Sequence, residues 1–144
     1  MIVSKTIEID MGHRVPNHKS KCRNIHGHRY KICVGVDDKV ITDKGASNEG
    51  MVIDFGDLKT GMMKCIDEKY DHSYTMYDGD EWKEYFNDMI DSGMKINIVD
   101  FVPTAENLAR HWYHLMKGYL EVCRIKIKYI TVWETPTSMA RYEE

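Results

Sequence analysis

Two runs of strict alternation near the N terminus limit the fold of this chain more than any other feature. Ile7, Ile9 and Met11 alternate with Glu8 and Asp10, and the run reaches His13 on the apolar parity. A polar stretch from Asn17 to Asn24 reads as a loop. Alternation then returns from His26 to Val36, with His26, His28, Tyr30, Ile32 and Val34 on one face and Arg29, Lys31 and Asp37 on the other. Period two over such lengths predicts strands with one covered face.

The remaining elements follow from turn chemistry and helical spacing. Thr42 to Gly50 is rich in turn formers and leads into a predicted strand at Met51–Ile53. Asp54 is placed to cap a helix in which Phe55, Leu58, Met62 and Ile66 recur up to Tyr70. Trp82, Tyr85, Phe86, Met89 and Ile90 predict a second helix ended by Gly93, and Ile96 and Ile98 a short strand. Pro103-Thr104 opens a third helix carrying Leu108, Trp112, Leu115, Met116 and Tyr119. Ile125 to Glu134 reads as the last strand, followed by a short tail. Helices segregated from hairpin-connected strands predict an α+β fold with a mainly antiparallel sheet. With 144 residues and neither repeat nor linker, residues 1–144 read as one domain.

Composition narrows the function. The 20 basic and 23 acidic residues give a net charge of −3, so a general nucleic-acid binder with a strongly basic face is not expected. No apolar run approaches the ~20 residues of a membrane span. The segment Met1 to Asp10 alternates and carries acids, unlike a secretion signal. Cys22, Cys33, Cys65 and Cys123 form no Cys-x-x-Cys pair, which fits reduced thiols in a cytoplasm.

His26-Gly27-His28 is the strongest chemical signal. Residues i and i+2 of a strand share a face, so both imidazoles project together. Nitrogen donors at a partly desolvated surface suit zinc, although two ordinary strand histidines give the same pattern. His13 ends its own strand on the apolar parity and can complete a three-histidine set with an open coordination position. His18, in the polar loop, competes for that place. Cys22 lies between Lys21 and Arg23, whose charges favour the thiolate, or it is a plain loop thiol. Asp71-His72 is either a carboxylate-oriented acid/base or a surface turn. Glu134 ends a strand on the parity of Ile130 and Val132, where a carboxylate must be paired, reach solvent or await a ligand. Glu106 falls in the first turn of the third helix, where negative charge suits the helix dipole.

In order, His13, Cys22-x-x-x-His26-Gly27-His28, Met51-Val52-Ile53-Asp54-Phe55, Asp71-His72, Pro103-Thr104-Ala105-Glu106-Asn107 and Glu134-Thr135 resemble the 6-pyruvoyl-tetrahydropterin synthase family. Three residues between Cys22 and His26 resemble its 6-carboxy-tetrahydropterin synthase branch. The resemblance implies the tunnelling fold, an antiparallel sheet with helices on one side. It also implies homo-oligomeric barrels, usually trimers stacked as hexamers, with active sites between subunits. It implies Zn2+ on His13, His26 and His28, acid/base roles for Cys22, Asp71 and His72, and a pterin anchored by Glu134 with Thr104 and Glu106 lining the pocket. The implied substrate is 7,8-dihydroneopterin triphosphate, in 7-deazaguanine (queuosine-type) biosynthesis. Its triphosphate would meet Lys19, Lys21 or Arg23, candidates by charge. A helical insertion is expected near 74–101, where compact members are shorter. A 6-pyruvoyl-tetrahydropterin synthase or related dihydroneopterin triphosphate lyase, a pterin- or purine-binding module and a cupin-like metal protein are the other readings. The last lacks its usual acidic or amide ligand after the two histidines.

Overall fold

A computed structural model describes residues 1–144. The first alternating run forms β1 (Ile2–His13), and a single 3-10 turn at Lys21–Arg23 interrupts the loop before β2 (His26–Asp37). These two strands pair antiparallel along their whole length, with Met11 opposite His28 and His13 opposite His26. After a long loop come α1 (Phe55–Met62), a π-helical turn at Met63–Asp67, and α2 (Glu68–Tyr70). Then follow β3 (Ser73–Tyr77), α3 (Lys83–Asp91), β4 (Ile96–Val99), α4 (Ala105–Val122), β5 (Ile127–Thr135) and β6 (Ser138–Glu143). One six-stranded sheet runs in the order β4-β3-β1-β2-β5-β6. The β1–β2, β2–β5 and β5–β6 pairings are antiparallel, whereas β1–β3 and β3–β4 are parallel. The sheet is therefore mixed, with its antiparallel part forming the larger share.

The apolar parity of β1, β2 and β5 packs against α1 and α4. Ile9, Tyr30, Ile32, Val34, Ile130 and Val132 meet Leu58, Met62, Leu108, Trp112 and Met116 in one continuous core. Tyr70 and Tyr30 both meet Trp112 edge-on, at centroid distances of 5.5 and 6.2 Å. Both caps form as their residues predict: Asp54 accepts from Gly56 N at 2.6 Å, and Thr104 accepts from Asn107 N. Helix α3 lies at the far edge of the sheet, where Phe86 stacks on Tyr74 at 4.9 Å.

The structure corrects the sequence reading at three places. Met51–Ile53 is not a strand. Only Val52 of this stretch is buried; Met51 accepts from Ile41 N and donates to Asn48 O, which closes the loop of residues 42–50 without forming a strand ladder. The short tail is instead the edge strand β6, whose mostly exposed side chains carry almost no apolar alternation. Ser73–Tyr77, which had no assigned structure, is β3. Its polar and aromatic mixture hides the period, and it is fixed to β1 at only three positions, Met11 to His13.

Gly12 and Gly27 face each other across β1 and β2. A Cβ at Gly27 would lie 2.9 Å from the Met11 carbonyl oxygen and 3.3 Å from Gly12 Cα, both main-chain atoms that cannot swing aside. The glycine between His26 and His28 is thus required by strand packing. Gly27→Ala is expected to destabilise the fold by roughly 1–3 kcal/mol, as overpacking does. At Gly118, on α4, nothing lies within 4 Å of an added Cβ, and alanine there should stabilise by roughly 0.5–1 kcal/mol. Denaturant midpoints of the two variants shifting in the same direction would count against this account.

Candidate functional site

The register that pairs His13 with His26 brings three imidazoles to one end of the sheet. One nitrogen from each of His13, His26 and His28 lies within 4.8 Å of the others. The ring centroids stand 4.5 Å (His13 to His26), 5.2 Å (His13 to His28) and 5.1 Å (His26 to His28) apart. His18 is elsewhere, exposed in the loop, its Nδ1 accepting from Ser20 N.

The outer nitrogens are held by the main chain. His13 Nδ1 donates to the Pro103 carbonyl at 2.6 Å, and His26 Nδ1 to the Asn24 carbonyl at 2.7 Å. Those bonds fix the tautomer, so the Nε2 lone pairs point into the cluster, the arrangement that second-shell carbonyls produce around bound metals. Burial holds His13 and His28 below the ordinary histidine range, which keeps them neutral at neutral pH. His13 Nε2 and His28 Nε2 are buried without any hydrogen-bond partner.

Glu134 sits against the same atoms. Its Oε1 is 3.4 Å from His13 Nε2 and 3.7 Å from His28 Nε2, and the buried Tyr30 hydroxyl donates to it at 3.4 Å. Burial drives the Tyr30 phenol far above its usual range, so it stays a donor. Glu134 thus stands beside the three imidazoles at the end of the sheet. Lone pairs of neutral imidazoles facing a carboxylate oxygen are unfavourable unless a cation lies between them. The donor set therefore fits a divalent metal.

Cys22 lies half-buried on the 3-10 turn. The main chain holds this turn, Val15 N donating to Cys22 O at 2.9 Å. The turn leads into β2, whose first residue is His26.

Asp71 and His72 touch, with His72 Nδ1 donating to Asp71 Oδ2 at 2.7 Å. Asp10 N donates to Asp71 Oδ1 at 2.9 Å, and Asp10 O accepts from His72 N at 2.8 Å. These bonds, the Asp10 amide foremost, hold the Asp71 carboxyl below the usual carboxylate range. His72 adopts a left-handed backbone, φ 52°, unusual without glycine, and its side chain is 79% exposed. The dyad stands level with Asp10, three residues before His13, or ~10 Å along the strand. Within one chain the dyad and the imidazole cluster do not meet.

Thr104 is occupied as the cap of α4, and Glu106 is exposed on its first turn without a contact to the histidines. Sequence reasoning missed Tyr30, Asp10 and the Pro103 carbonyl. Tyr30 shares the parity of His26 and His28 and was visible as a neighbour; the other two act through main-chain atoms, which side-chain patterns do not report.

Residues 2–144 match the family model described as 6-pyruvoyl tetrahydropterin synthase. The chain belongs to that family. It is 34% identical to a 6-carboxy-5,6,7,8-tetrahydropterin synthase of Haemophilus influenzae, covering 99% of this chain and 98% of the relative. It is 35% identical to the enzyme of that name from Rickettsia bellii, over 92% and 93% of the two chains. Among solved structures, an uncharacterized protein from Wolinella succinogenes superposes with a TM-score of 0.82 at 22% identity, covering 100% and 98%. The 6-pyruvoyl tetrahydropterin synthase of Caenorhabditis elegans gives 0.71 at 23%, covering 100% and 95%. The fold is thus the family's tunnelling fold, with α1, α2 and α4 on one side of a curled sheet, and the chain is a lyase-type pterin synthase. No helix is long and apolar enough to cross a membrane.

Proposed function

We propose that this chain is a zinc-dependent 6-carboxy-5,6,7,8-tetrahydropterin synthase. It converts 7,8-dihydroneopterin triphosphate, with uptake of water, to 6-carboxy-tetrahydropterin, acetaldehyde and triphosphate, in a 7-deazaguanine (queuosine-type) route. The observation that carries the reading is the pair of buried, unpartnered Nε2 atoms of His13 and His28 facing the Glu134 carboxylate. Zinc on His13, His26 and His28 would act as a Lewis acid toward the oxygens of the substrate side chain.

Glu134 accepts from the ring N–H and amino group of the pterin, a two-point match that a hydroxyl does not offer. Tyr30 holds that carboxylate in place from behind. Cys22, on the turn that leads into β2, takes or gives a proton on one side of the substrate side chain, and His72, oriented by Asp71, does so on the other. Because His72 lies away from its own chain's histidines, the dyad serves the cluster of a neighbouring subunit in a homo-oligomer, a dimer of trimers. Thr104 and Glu106 then complete the rim of the pocket. We take residues 1–144 as one cytoplasmic domain with an added segment at 74–101.

Incubation with 7,8-dihydroneopterin triphosphate tests the reading. Acetaldehyde and triphosphate should appear together with the mass of 6-carboxy-tetrahydropterin; a 6-pyruvoyl product would transfer the chain to the alternative synthase. Glu134→Gln is expected to keep zinc while raising KM about 10–100-fold, since one charged hydrogen-bond acceptor is worth roughly 1.5–3 kcal/mol. Loss of zinc from Glu134→Gln would make Glu134 a metal ligand instead.

A further inference from the structure

The turn that carries Asp71 and His72 leads into β3, and β3 lies between β1 and β4 in the sheet. From the β1 side the peptide groups of Asp10 hold it. From the other side it is gripped by two side chains of the β4 segment. Lys95, directly before β4, donates from Nζ to the Asp71 carbonyl at 2.7 Å. Asn97, within β4, donates from Nδ2 to the Lys69 carbonyl at 3.1 Å and to Ser73 Oγ at 2.9 Å. Ser73 Oγ in turn donates to the Tyr70 carbonyl at 2.7 Å. Its hydroxyl proton is thus committed, so it accepts from Asn97, and both amide protons of Asn97 are used.

Helix α2 ends at Tyr70, and the last carbonyls of a helix find no partner within it. Those of Lys69, Tyr70 and Asp71 are met here by Asn97, Ser73 and Lys95 in turn. Lys95 does more than cap. Its acceptor belongs to the peptide that joins Asp71 to His72, and the N–H of that same peptide donates to Asp10 O at 2.8 Å. The two ends of a planar trans peptide point in opposite directions, so β1 and Lys95 clamp it from either side. The tilt of this peptide sets φ of His72, the left-handed 52°. A side chain other than glycine stays in that region only where its surroundings over-determine it.

We propose that Lys95 and Asn97 are positioning residues for His72: they lock the Asp71–His72 peptide and thereby aim the imidazole. The consequence for turnover rests on the reading above, in which His72 moves a proton of the substrate side chain.

Hydrogen exchange of the His72 and Asp10 amides, measured on the full chain at single-amide resolution, reads the lock without substrate. Lys95→Met combined with Asn97→Ala should speed exchange at both amides roughly tenfold or more, as loss of a charged hydrogen bond allows. Lys95 is exposed, so Lys95→Met alone stays folded and should show the same change in smaller measure. With 7,8-dihydroneopterin triphosphate, the double variant should lose roughly 10–100-fold in kcat, the penalty of a misplaced group, while KM and zinc content hold. Caps that served stability alone would leave kcat where it is. Lys95→Arg, which keeps a charged N–H donor, should retain most of the turnover that Lys95→Met loses. Wild-type exchange at both amides of the double variant overturns the proposal, and so does an unchanged kcat where His72→Ala has lost its turnover. If both amides open while His72→Ala keeps full turnover, the lock stands and the proton-transfer role of His72 fails.

Discussion

On the zinc-dependent reading proposed above, His13→Ala is expected to leave a folded chain that no longer holds the metal. His13 is 1% exposed, ends β1 and donates through Nδ1 to Pro103. Its Nε2 is one of the two orphaned nitrogens of the cluster. Losing an outer-shell partner alone costs metal sites about 10–100-fold in affinity, and losing a ligand costs more. Metal content after dialysis, measured by mass spectrometry, should fall to a small fraction of the wild-type value, and turnover with it. His114→Ala, on the exposed face of α4 and outside the cluster, serves as the control and should retain its metal. A His13→Ala protein with full zinc occupancy would remove the three-imidazole centre from the account.

Cys22→Ala carries the second large effect. The turn bearing Cys22 is held by the bond from Val15 N to the Cys22 carbonyl, which alanine keeps. Zinc content and thermal midpoint should therefore stay at wild-type values. Turnover should fall ~10²–10⁴-fold, the range that positioned acid/base groups supply. His72→Ala should match it. If the dyad works on a neighbour's cluster, mixed oligomers of Cys22→Ala and His72→Ala subunits regain activity that neither homo-oligomer has. Full turnover by Cys22→Ala alone would exclude the thiol from the chemistry.

The parts of this molecule legible in its sequence are those specified by side-chain period. Alternation placed β1 and β2, and parity put His13, His26, His28 and Tyr30 on one face before any register was known. Asp54 and Thr104 marked helix starts because capping is a local act of one side chain on nearby amides. What stayed hidden depends on tertiary pairing. β3 joins β1 at three residues, and β6 buries too little to show a period. Met51–Ile53 reads like a strand but finds no sheet to join. The approach of Glu134 to the histidines needs the β2–β5 register, which no local pattern supplies.

The hold of Asp10 on the dyad has a mechanical consequence. Both hydrogen bonds that β1 makes to Asp71 and His72 come from the peptide groups of Asp10, while its carboxylate is turned to Arg29 at 2.8 Å. Swapping that side chain leaves both anchors in place. Displacing the dyad from the β1 side would take a slip of the whole strand, and a slip of one position also turns every buried residue of β1 outward. The aim of His72 is thus insured by the same lattice of contacts that keeps the protein folded.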